Sequence, residues 1–90
     1  MKRLKVIYEG RVHGVGFRFT AAHLAGEHSI TGYVKNLSDG TVELIVEGTE
    51  KEIELFQDKI MNSHLRRGIS KYYTTWSDPT NEFKNFKIQY

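Results

Sequence analysis

The sequence predicts an α+β sandwich, in which two helices pack on one face of a four- to five-stranded, mostly antiparallel sheet. Three observations carry that expectation. Short runs alternate apolar with polar residues, two other stretches repeat at helical spacing, and an Asp-Gly pair joins two of the extended runs.

The first run is "RLKVIYE", where Leu4, Val6 and Tyr8 alternate with Lys5, Ile7 and Glu9 and predict a strand. "GRVHGVGFR" leads from it into "FRFTAAHLAGEHS", which sets Phe17, Ala21, Leu24 and Ala25 along one stripe of a helix whose last turn Gly26 weakens. "ITGYVKN" and "TVELIVE" flank "LSDG" and predict a hairpin with a loop of about four residues. In it Val42, Leu44 and Val46 face the core, while Glu43 and Glu47 face water. "TEKE" matches a capping box, with Thr49 accepting from the N–H of residue 52 and Glu52 reaching back to that of residue 49. The second helix then buries Ile53, Phe56 and Ile60 and ends in "NSHLRRG". "ISKYYTTWS" predicts another strand, "SDPTN" a turn, and "FKIQY" a closing strand in which Phe86, Ile88 and Tyr90 alternate. The order β-α-β-β-α-β-β suits a ferredoxin-like sandwich formed as one domain over residues 1–90.

Composition narrows the chemistry. A chain of 90 residues buries only about 60% of its unfolded surface, so the core must be economical. The absence of cysteine excludes a disulfide, a thiolate nucleophile and a cysteine-ligated metal site. "MKRLKVIYEG" alternates instead of running apolar, so neither a signal peptide nor a membrane span is expected and the cytoplasm is the expected location. A formal net charge of +2, with Lys and Arg spread along the chain, lacks the basic footprint of a nucleic-acid binder. A small anionic substrate is compatible with it, and no apolar stretch is left over as an oligomer interface, so a monomer is expected.

"GRVHGVGFR" places Gly10, Gly14 and Gly16 directly before Phe17 and Arg18. Glycines in that density, between a strand and a helix start, let backbone N–H groups converge on an anion. The known nucleotide cradles do not match. Val15 stands where the Walker pattern needs its second glycine, and Phe19 stands at the third glycine of the dinucleotide pattern. From the residues alone two readings stay open: an anion socket sealed by the Arg18 guanidinium, or a loop that only turns the chain.

"GRVHGVGFR" followed by "GYVKNLSDGTVE" resembles the signature pair of the acylphosphatases, and the likeness runs from about Arg3 to Tyr90 through "VEGTEKEIELFQ" and the final Phe-x-Ile. The resemblance implies hydrolysis of the anhydride between a carboxylic acid and phosphate, without metal or other cofactor. It implies that Arg18 binds the substrate phosphate, that the backbone of His13, Gly14, Val15, Gly16 and Phe17 completes the cradle, and that Asn36 holds the attacking water. An acyl phosphate as substrate and inorganic phosphate or sulfate as ligand follow from it. Three features depart from the common pattern: His13 in place of Gln, Tyr33 and Lys35 in place of Trp and Arg, and "HLRRGIS" without a Gly-Pro-Pro stretch. On the residues alone, Asn36 before a hairpin turn also reads as a local turn bond.

Other features are set aside. His23 and His28 are spaced five apart, not at the four that suits a zinc pair on a helix. His13 reads as a spacer with an exposed ring. Tyr72, Tyr73 and Trp76 are assigned to core and edge packing, and Arg66 and Arg67 to a solvated helix end. Two competing readings remain. One is a carbamoyl-phosphate-handling module like those at the start of larger hydrogenase-maturation proteins; the other is an RNA-binding ferredoxin-like module, which the charge and aromatic placement disfavour.

Overall fold

A computed structural model describes residues 1–90. The chain forms β1 (Lys2–Gly10), α1 (Phe17–Ala25), β2 (Ile30–Asn36), β3 (Val42–Gly48), α2 (Glu50–Met61), a 3₁₀ turn (His64–Gly68), β4 (Ile69–Ser77) and β5 (Phe86–Gln89). The strands lie in the order β4-β1-β3-β2-β5. Every pairing is antiparallel except β2 with β5, which is parallel. This is the ferredoxin-like α+β arrangement that the element order predicts. Neither helix is long and apolar enough to cross a membrane.

Alternation decides which face the helices cover. The register pairs Leu4 with Val46, Val6 with Leu44 and Tyr8 with Val42, so the inward residues of β1 and β3 stand opposite one another. With Val34 of β2 they meet Phe17, Ala21 and Ala25 of α1 and Ile53, Phe56 and Ile60 of α2 in one buried cluster. Each large side chain in it contributes about 1.5–3 kcal/mol.

Five local expectations change. Helix α1 stops at Ala25 instead of running on to Ser29. Beyond it the N–H groups of Gly26, Glu27 and His28 bond back three residues, to His23, Leu24 and Ala25, tightening the end into 3₁₀ geometry. The capping box is half made: Thr49 Oγ1 accepts from the Glu52 N–H at 3.2 Å, but the Glu52 carboxylate accepts from the Ser29 N–H at 3.0 Å. That bond ties the start of α2 to the entry of β2. Arg66 and Arg67 belong to the 3₁₀ turn, since α2 has already ended at Met61. The aromatics of β4 decorate a sheet edge, where Tyr72, Tyr73 and Trp76 stay 42–50% exposed.

The fifth change is Glu47, which is buried and not turned to water. The segment between β4 and β5 folds back over the open face of the sheet and brings donors to it. Glu47 accepts from Arg3 Nη1 at 3.1 Å, the Thr80 N–H at 2.8 Å, the Thr80 hydroxyl at 3.1 Å and the Asn81 N–H at 3.0 Å. Burial alone raises a carboxyl pKa. Here the Thr80 and Asn81 amides, the Thr80 hydroxyl and Arg3 outweigh it and hold Glu47 below its usual range.

At one end of the sheet β1 runs out into its glycine loop, β2 and β5 finish side by side, and α1 begins. The site is built there.

Candidate active site

Gly10 ends β1 at φ 123°, and a Cβ there would stand 2.2 Å from the Gly68 carbonyl oxygen. The Arg11 N–H donates to that same oxygen at 2.7 Å, which fixes where the loop begins. Val12 and Phe17 are buried and anchor its two ends, Phe17 against the Tyr8 ring with centroids 5.0 Å apart. Between them His13, Gly14, Val15 and Gly16 are exposed. Gly14 and Gly16 take left-handed conformations at φ 71° and 75°.

Gly16 is the N-cap of α1 and brings no side chain to cap it, and no acidic residue stands in the first turn. No backbone acceptor takes the N–H of His13, Gly14, Val15, Gly16, Phe17 or Arg18. A helix start with free amides carries partial positive charge and suits an anion. Arg18 adds a full charge. It takes part in none of the chain's ion pairs, and its guanidinium carbon lies 5.0 Å from the centre of the Tyr90 ring.

Asn36 arrives from β2. It continues the inward series of Ile30 and Val34, so alternation turns it to the helix face just where the strand ends. Its Oδ1 is buried without a hydrogen-bond partner. Such an acceptor costs about 1–3 kcal/mol when left unmade.

These groups share one recess of about 210 Å³, lined by Gly14, Gly16, Phe17, Arg18 and Asn36, with Val12, Phe19, Ile88 and Tyr90 completing its walls. No Asp, Glu or His lines it. Of the residues singled out in the sequence, His13 and Val15 do not line the recess. Val15 borders a second cavity. The His13 ring, expected to be a free spacer, bonds through Nε2 to the Thr41 carbonyl at 2.8 Å. Thr41 lies in the β2–β3 turn, where its hydroxyl and N–H both donate to Asp39 Oδ1, at 2.6 and 3.0 Å. Those two bonds, the hydroxyl foremost, hold the Asp39 carboxyl below its usual range. The glycine loop and the turn that follows Asn36 are therefore latched together. Sequence reasoning missed Tyr90 and Phe19 as walls, although the alternation of Phe86, Ile88 and Tyr90 signals that Tyr90 and Ile88 share the helix face.

The remaining histidines do not converge. The His28 side chain is nearly buried past the end of α1, with Nδ1 3.6 Å from Glu52 and its ring against Phe56. No three His, Asp or Glu side chains stand close enough together to ligate a metal ion.

Comparison with known proteins completes the picture. The acylphosphatase family model matches residues 4–88. An acylphosphatase from Geobacillus kaustophilus (strain HTA426) is 42% identical over 90 residues, covering 100% of this chain and 96% of that one. Among solved structures, acylphosphatase from Bacillus subtilis superposes with a TM-score of 0.86 at 30% identity, covering 100% of both chains. Full-length HypF in its phosphate- and nucleotide-bound form matches with a TM-score of 0.84 at 32% identity, over 99% of this chain and 12% of that much longer one.

Proposed function

We propose, from the premise that this chain belongs to the acylphosphatase family and is an enzyme that hydrolyses small acyl phosphates, that Arg18 and Asn36 carry its chemistry. Arg18 and the amides from His13 to Phe17 hold the phosphoryl group, and Asn36 aims the water. The observation that supports this most is the recess itself, where an unpaired guanidinium, unclaimed loop amides and an unpartnered buried amide oxygen meet.

The reaction needs little else. Water attacks phosphorus in line with the bridging oxygen, the P–O bond to the acyl group breaks, and its electron pair leaves on a carboxylate. The conjugate acid of that leaving group has a pKa of about 4, so no general acid is required. Asn36 Oδ1 accepts one O–H of the water, which leaves an oxygen lone pair directed at phosphorus. The guanidinium and amides offset charge on the equatorial oxygens as it builds. The water's proton passes to a phosphate oxygen, consistent with a recess that no Asp, Glu or His side chain lines.

In this reading the chain acts as one domain over residues 1–90, as a monomer in the cytoplasm, with no cofactor, and inorganic phosphate or sulfate binds the same socket. The test is phosphate release from benzoyl phosphate in the presence of a metal chelator. Undiminished hydrolysis is expected, and loss of activity restored by a divalent ion would overturn the metal-free mechanism.

A further inference from the structure

A second cavity, of about 410 Å³, lies on the other side of the same loop, between it and the 3₁₀ turn. The loop serves both. Val12, Gly14 and Gly16 line the Asn36 recess, Arg11 and Val15 line this one, and the two cavities share no residue.

Its charge arrangement follows from a backbone crossing. A Cβ on Gly68 would stand 2.2 Å from the Arg11 carbonyl oxygen, just as one on Gly10 would meet the Gly68 oxygen. Only glycine at both positions lets the end of β1 cross the turn in direct backbone contact. That crossing sets Arg11 beside His64 and Arg67, which the sequence places far away.

No Asp or Glu lines the cavity, and none of the chain's four ion pairs includes Arg11, His64 or Arg67. Arg66 and Lys71 border an adjoining groove that shares Ser70 with this cavity, and they add positive charge beside it. Like charges gathered around a recess without a neutralising carboxylate repel one another, and an anion bound between them removes that cost. Two guanidinium groups each offer paired donors that match phosphate oxygens, and the imidazole adds one more. The volume corresponds to on the order of ten waters, more than one tetrahedral anion fills.

We propose that this cavity is a second anion site, separate from the one lined by Arg18 and Asn36, and that Arg11, His64 and Arg67 hold there a ligand carrying two or more linked phosphate groups.

The test is calorimetric titration of the Arg18→Ala protein with tripolyphosphate at fixed ionic strength. Binding with one ligand per chain is expected. Adding Arg11→Gln and Arg67→Gln weakens it tenfold or more, and Arg67→Glu alone, at an exposed position of the turn, does the same. Benzoyl phosphate hydrolysis by the Arg11→Gln, Arg67→Gln protein with Arg18 intact confirms that those changes leave the fold in place. Absence of tripolyphosphate binding to Arg18→Ala would overturn the proposal, as would equal affinity with and without Arg11 and Arg67.

Discussion

Two regions at opposite ends of the sheet treat their polar groups in opposite ways. At the end where β1 and β3 pair Arg3 with Glu47, the buried carboxylate collects four donors and the segment from Thr80 onward is clasped to the sheet. At the other end Asn36 Oδ1 is buried with no partner, the α1 N-cap has no side chain, and Arg18 faces an aromatic ring and no carboxylate. Satisfied groups stabilise the fold, whereas unsatisfied ones cost free energy unless a ligand completes them. The Glu47 end thus serves stability, and in the function proposed above the Asn36 end serves binding.

Exchanging or removing these groups sharpens the contrast. The largest effect is expected for Arg18→Ala, which loses phosphate affinity and at least about 10²-fold in kcat/KM toward benzoyl phosphate, while its melting temperature stays at or above that of the parent. Asn36→Ala is expected to lose about 10²-fold in kcat yet still bind inorganic phosphate in a calorimetric titration. Parental turnover by either variant would break the assignment.

Glu47→Gln works the other way. It is expected to cost about 2 kcal/mol, seen as a melting temperature lower by on the order of 10 °C, with kcat/KM at 25 °C nearly unchanged. Because the folded-state pKa of Glu47 is depressed, its contribution is present in full above the ordinary carboxylate pKa and is lost as pH falls through the lower folded value. Denaturation curves of parent and Glu47→Gln should therefore converge on acidification; a gap that widens would contradict the sign.

The smallest effect tests the latch between the two halves of the recess. His13→Ala is expected to raise KM several-fold by freeing the loop from the Thr41 carbonyl, with a smaller change in kcat. His13→Gln, whose amide N–H can reach the same carbonyl, should restore most of it. Equal KM values in all three proteins would show that the bond does not position the loop.

How much of this is legible in the sequence depends on the range of the forces involved. Strand alternation and helix stripes are local, so the order of elements and the inward set Leu4, Val6, Tyr8, Val42, Leu44 and Val46 can be read directly. Arg18 and Asn36 are nameable from the two motifs, but only the β2–β3 register and the start of α1 bring them to one recess. Glu47 misleads because its donors come from Arg3 and from Thr80 and Asn81, in a stretch with no periodicity to reveal that it crosses the sheet. Glu52 misleads for a related reason: the Ser29 amide, distant in sequence, competes for the carboxylate and wins. The His13 latch was hidden in the same way, since its partner is a turn carbonyl that carries no residue signature.

A crystal structure grown in phosphate tests the central claim most directly. The expected result is one phosphate held by the loop amides and the Arg18 guanidinium, with a water bound to Asn36 Oδ1 on the far side of phosphorus. An anion-free recess at saturating phosphate, with Arg18 turned to solvent, would contradict it.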